Sequence, residues 1–183
     1  MLSKETYMRG ITITQKIFLN WNFNSKDALQ VQVWYEALKG IDDEDFMKVI
    51  ETYCKTRIHA PTCPNDLLMI LAEEEEKKFP DPNQAFSKVR QLIRDNGWQY
   101  GRKDIYEAIK DNPALYETVK DMEADLRVLT TDDTYTPERF RKAYAIKLKA
   151  MCMRNRDERL RLSANKISVP VDQKVKGFLP YEE

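Results

Sequence analysis

The chain has 183 residues, of which 42% are hydrophobic and 33% charged, enough apolar material for one ordinary domain or two small helical ones. Thirty Lys and Arg balance thirty Asp and Glu, which argues against a chain built throughout to bind polyanions. No run of eighteen apolar residues suggests a membrane span, and MLSKETYMRG lacks the charged-then-apolar build of a signal peptide, so the expected location is the cytoplasm.

Five glycines and eight prolines are few for a loop-rich β protein, and helix formers dominate, so the expected class is all-α. The first helix is expected over Lys4–Leu19, with Tyr7, Ile11, Thr14, Ile17 and Phe18 at helical spacing. NWNFNS breaks it, and Ser25 is positioned to cap a second helix with Leu29, Val33, Trp34, Ala37 and Leu38 on one face. Gly40 reads as its left-handed C-cap. Asp42 caps a third helix, Asp43, Glu44 and Asp45 suit the positive end of its dipole, and Phe46, Val49, Ile50 and Tyr53 form its inner face. NDLLMILAEEEEKK gives a fourth helix, with Leu67, Leu68 and Leu71 inward and Met69 or Ile70 beside them.

FPDPN interrupts the chain twice and marks the expected domain boundary. Asp81 and Pro82 start the next helix, which ends at Gly97, and GRKDIYEAIKD gives a short one. Asn112–Pro113 opens a helix through Leu129, and Thr136–Pro137 opens the last and longest, to about Leu162. From Ser163 no helical period continues. The expected architecture is a four-helix bundle-like domain over 1–79, a second helical module over 80–162 and an extended or disordered tail over 163–183.

Chemistry-bearing patterns are sparse. His59 is the single histidine, and with Cys63 it offers two metal ligands where zinc needs three or four. Cys54, Cys63 and Cys152 include no close pair, and neither GxxxxGK[ST] nor GxGxxG occurs. Successive glutamates in Glu73–Glu76 fan around a helix axis and do not converge. RIHAPTCPND, with Pro64 and Asp66 at the first turn of the fourth helix, reads as a helix start. The expectation is a non-enzyme without cofactor or metal.

Charge is uneven along the chain: ten basic and thirteen acidic residues up to Phe79, then nine basic against two acidic from Arg139 to Arg161. Three readings of this basic helix stay open. It is a solvated helix end, a docking surface for an acidic partner protein through Arg154, Arg156, Arg159 and Arg161, or a phosphate contact that adds Arg139, Arg141, Lys142, Lys147 and Lys149. Phe178, Leu179 and Tyr181 in the tail read as an anchor that orders on a partner, or as disordered chain. Trp98 and Tyr100 beside Arg102 read as a hydrophobic cluster or as base-stacking rings.

The order of elements in FLNWNFNSKDALQVQVWYEALKGIDDEDFMKVIETYCKTRIHAPTCPNDLL resembles the phage helicase loader/inhibitor family. The matching positions are Trp34, Leu38, Phe46, Tyr53, Pro61, Asp66 and Leu67, within about the first 75 residues. Such proteins are small non-catalytic factors that bind the replicative hexameric helicase and deliver it to an origin-bound replication protein. Their folded N-terminal domain precedes a flexible C-terminal part, whereas this chain reads as having a second helical module there. The resemblance implies a replication factor acting in a bacterial host, with the helicase as partner and single-stranded DNA as a further candidate. The rival expectation is a DNA-binding replication or recombination accessory protein using the same arginines on phosphates.

Overall fold

The structure, a computed structural model, describes residues 1–130 and 133–165. The described residues form nine helices and no strand, so the fold is all-α. They are α1 (Lys4–Ile17), α2 (Ala28–Leu38), α3 (Asp43–Thr56), α4 (Pro64–Glu76), α5 (Pro82–Asn96), α6 (Trp98–Ile109), α7 (Pro113–Asp121), α8 (Glu123–Arg127) and α9 (Tyr135–Asn165).

Side chains close most helix starts. Ser3 Oγ accepts from the Thr6 N–H, Asp42 from Asp45, and Asn112 from Leu115. Asp81 and Gln84 form a reciprocal capping box ahead of Pro82. Two caps differ from the sequence expectation. Asp27, not Ser25, opens α2, because its carboxylate accepts from both Leu29 and Gln30 N–H groups. Asp133, not Thr136, serves the first turn of α9 by accepting from Tyr135 and Thr136, and Thr136 is buried.

The chain divides into two units, Met1–Leu71 together with the chain from Asn155, and Ala72–Arg154. Relative to a boundary at Phe79, Ala72–Phe79 joins the second unit and the end of α9 joins the first. Ser163–Asn165, expected as tail, are helical, and the rest of the expected tail lies outside the described residues.

In the first unit α1 lies against α3, with Tyr7, Ile11, Phe46 and Ile50 buried between them. Gly10 permits this approach, since a Cβ there would overlap the Phe46 ring. Tyr7 donates from its hydroxyl to the Val31 carbonyl at 3.1 Å, and Tyr35 donates to that of Leu2 at 2.9 Å. These bonds turn Val31, Trp34, Tyr35 and Leu38 inward on α2. Leu29, Val33 and Ala37, expected inside, are exposed. The reason is angular: Val33 lies about 200° around the axis from Val31, so one apolar face excludes the other. NWNF is a packed corner, with Trp21 stacked on Phe23 at 4.7 Å and both edge-on to Trp34. Gly40 is not a left-handed cap: among the described residues only Gly97 has a positive φ, 67°. Gly40 instead lets Leu160 of α9 come close, with its Cβ position 3.1 Å from Leu160 atoms. On α4 the innermost residues are Leu67 and Ile70, with Leu68 and Leu71 half-buried. Ile17, expected inside, is exposed.

The second unit is built around a stripe of α9, Phe140, Tyr144, Leu148 and Cys152, one residue per turn. It packs in one cluster with Phe86 and Val89 of α5, Ile105 of α6 and Leu115 of α7. The Tyr144 hydroxyl donates to the Pro80 carbonyl and accepts from Asn112 Nδ2, both at 3.0 Å. One buried phenol therefore fastens the starts of α5 and α7. Trp98 is buried in this core as the cluster reading required, and α6 starts there, bending at Gly101. The helix expected from Pro113 to Leu129 breaks at Met122 into α7 and α8.

Gly10→Ala tests the α1–α3 approach. On an exposed helix alanine would gain up to about 1 kcal/mol over glycine, but here overpacking against Phe46 gives a net loss of about 1–3 kcal/mol, read as a lower urea midpoint. Tyr144→Phe removes the hydroxyl that serves Pro80 and Asn112 and costs about 1–3 kcal/mol in the same measurement.

Candidate partner interface

The RIHAPTCPND loop is held by its neighbours. Asp66, in the first turn of α4, accepts from the Thr62 N–H at 2.6 Å, the Thr62 hydroxyl at 2.8 Å and the Cys63 N–H at 3.2 Å. Trp21 donates from Nε1 to the Pro61 carbonyl at 2.6 Å, and Tyr53 donates to that of His59 at 3.3 Å. His59 and Cys63 are exposed. Among the described residues no group of three or more His, Cys, Asp or Glu is placed to hold a metal ion. The loop's polar groups are spent on starting α4 and seating the NWNF corner.

The basic helix is less basic in space than in sequence. Arg139 pairs with Asp125 at 3.0 Å and lies over the Tyr135 ring, Lys142 pairs with Glu138 at 2.6 Å, and Lys147 pairs with Asp121. Arg141 donates to Asn83 Oδ1. Lys149 is exposed. Exposed pairs of this kind add little stability, but the carboxylates beside Arg139, Lys142 and Lys147 weaken the local field a phosphate would feel there. Of the four arginines expected at a partner surface, Arg156 is only 11% exposed and donates to Asp157, Asn65 and the Met69 sulfur. Arg159 pairs with Asp45 and, at 3.7 Å, with Asp42, so it serves the acidic start of α3. Arg154 and Arg161 are exposed. Phe178, Leu179 and Tyr181 lie outside the described residues.

Sequence reasoning missed a different surface. Leu29 is 71% and Val33 56% exposed, and with Ala37 they run along one line of α2 at intervals of four. A signal was present, since ALQVQVWYEAL carries apolar residues on more than one face, and only one face can enter a single core. The residues that carry the family resemblance lie elsewhere: Trp34, Leu38, Phe46, Tyr53, Pro61 and Leu67 are all buried, and Asp66 is the cap described above.

Partial burial pushes the Asp66 carboxyl up, but the bonds from Thr62 and Cys63 outweigh it and hold it below its ordinary value. A carboxyl depressed in the folded state stabilises above its unfolded value, about 3.9, and that contribution is lost as pH falls through the folded value. Asp66→Asn should therefore cost about 0.5–2 kcal/mol at neutral pH, and the gap between the two proteins should narrow below about pH 4, as followed by thermal melts. In comparisons with known proteins, no family model, no curated protein and no solved structure matches the chain.

Proposed function

We propose that the protein is a phage DNA-replication factor that binds the replicative hexameric helicase in the host cytoplasm and loads or regulates it without catalysis of its own. The observation that carries this reading is the run of residues from Phe18 to Leu68, with its aromatic–asparagine break, tryptophan helix, acid-capped helix and proline–threonine helix start. Those residues account for a scaffold, and a scaffold needs a surface that meets the partner. The line Leu29–Val33–Ala37 on α2 supplies one, because exposed aliphatic side chains aligned on a helix gain most by being covered. Arg161, exposed and one residue from Leu160 over Gly40, adds a cation to the same unit. The action is one of binding energy: a helicase subunit held by this face is released when it reaches single-stranded DNA and the origin-bound replication protein.

The test mixes the full-length chain with the host replicative helicase, with and without ATP, and reads the complex by size exclusion with light scattering. A defined complex is expected, and its absence under both conditions refutes the reading. Leu29→Asp combined with Val33→Asp should weaken the complex at least tenfold while the helical circular dichroism is unchanged. A folded double variant that binds as tightly as the parent moves the contact away from α2, to Arg161 and the tail positions Phe178, Leu179 and Tyr181.

A further inference from the structure

The second unit contains a groove of about 610 Å³ between α6 and α7, within the range of sites that hold a ligand. Four cations line it, Arg102 and Lys103 from α6, Lys110 at its C-cap and Lys120 from α7. Its aromatic wall is Tyr106 and Tyr116, with ring centroids 5.0 Å apart and planes tilted by 56°. The one acidic side chain in the lining is Glu107, which pairs with Lys110. Among the described residues no carboxylate pairs with Lys103 or Lys120, in contrast to most cations along α9.

The groove is organised before any ligand arrives. Glu123 Oε2 accepts from the Tyr106 hydroxyl at 3.0 Å and from Arg102 at 2.8 Å, and its other oxygen accepts from Arg127. Arg102 also lies over the Tyr106 ring, 5.8 Å from its centroid. The Tyr106 ring is thus fixed at its hydroxyl end by hydrogen bonds and on one face by a guanidinium. Tyr116 is half-buried against the core of the same unit, so it is fixed from beneath. Lys103 and Lys110 stand about 10 Å apart along the α6 axis at 1.5 Å per residue, and Lys120 faces them from α7.

We propose that this groove binds a short stretch of single-stranded nucleic acid, with Tyr116 and Tyr106 taking the face of an unstacked base and Lys103 and Lys120, the two lysines without a carboxylate partner among the described residues, contacting phosphates. Positioned aromatic rings beside mobile cations are what sequence-tolerant single-strand binding needs, because every base has a π-face and every nucleotide a phosphate. A duplex hides its base faces inside the stack and leaves the tyrosines unused. An acidic peptide would use the lysines and gain nothing from the rings. The proposal stands on α6 and α7 alone and is independent of helicase binding.

The experiment is fluorescence anisotropy of the full-length protein with a labelled oligothymidylate between about 50 and about 200 mM salt. Two phosphate contacts predict a log–log salt slope of about −1.4, from about −0.7 per contact. Replacing these two exposed lysines together (Lys103→Gln, Lys120→Gln) should flatten that slope towards zero without touching the core. Tyr116→Ala should weaken binding roughly tenfold at fixed salt and leave the slope in place. Absence of binding at the lowest salt overturns the proposal. So does equal affinity for duplex, equal competition by polyglutamate, or an unchanged affinity and slope in the lysine variant. A free mononucleotide that competes as well as the oligomer would also overturn it, since the site would then be one for small ligands.

Discussion

A phenol in an apolar core must find a hydrogen-bond partner, because a buried hydroxyl left without one costs about 1–3 kcal/mol. Each unit of this protein is arranged around such a group. Tyr7 is completely buried, and the one bond recorded for its hydroxyl goes to the Val31 carbonyl, so α2 must present that carbonyl to α1. Once it does, Val31, Trp34, Tyr35 and Leu38 face inward, and Leu29 and Val33 are left outside. Tyr144 is equally buried, and its hydroxyl holds Pro80 and Asn112, the residues at which α5 and α7 begin. The exposed face of α2 thus follows from satisfying a polar atom in the core, and so do the starts of two helices in the second unit.

Charge is used locally. Asp43 accepts from the Ser3 N–H at 2.6 Å, which holds its carboxyl below the ordinary value and joins the starts of α1 and α3. Asp42 and Asp45 at the start of α3 receive Arg159, while Asp121, Asp125 and Glu138 take three cations of α9. On the helix that reads as a polycation in sequence, Arg139, Lys142, Lys147, Arg156 and Arg159 meet carboxylates, while Lys149, Arg154 and Arg161 are exposed. Lys103 and Lys120, which chain order does not cluster, are brought to one groove by folding.

Helix starts were legible at Asp81–Pro82 and Asn112–Pro113, where a side-chain acceptor precedes proline, because capping is a local bond within a few residues. The stripe on α9 is legible in part: Phe140 and Tyr144 stand at helical spacing in the sequence, whereas the fold decides for Leu148 over Lys147 at the next turn. Less legible were the choice between Ser25 and Asp27, which turns on which side chain meets two N–H groups, and the orientation of α2, which has apolar residues on several faces. Gly40 was misread for a related reason: a glycine after a helix signals either a left-handed turn or a close neighbour, and the neighbour, Leu160, is 120 residues further along.

The sequence by itself determined the all-α class, most helix positions and the absence of nucleotide-binding loop motifs, because these depend on composition, capping and periods readable within a few turns. Tertiary structure alone decided which apolar residues stay exposed, which arginines are taken up by Asp42, Asp45 and Asn65, and that Tyr106 and Tyr116 meet beside three lysines. Those outcomes depend on contacts between residues distant in the chain, where burial of one face or pairing of one charge excludes the alternatives that the sequence leaves equal.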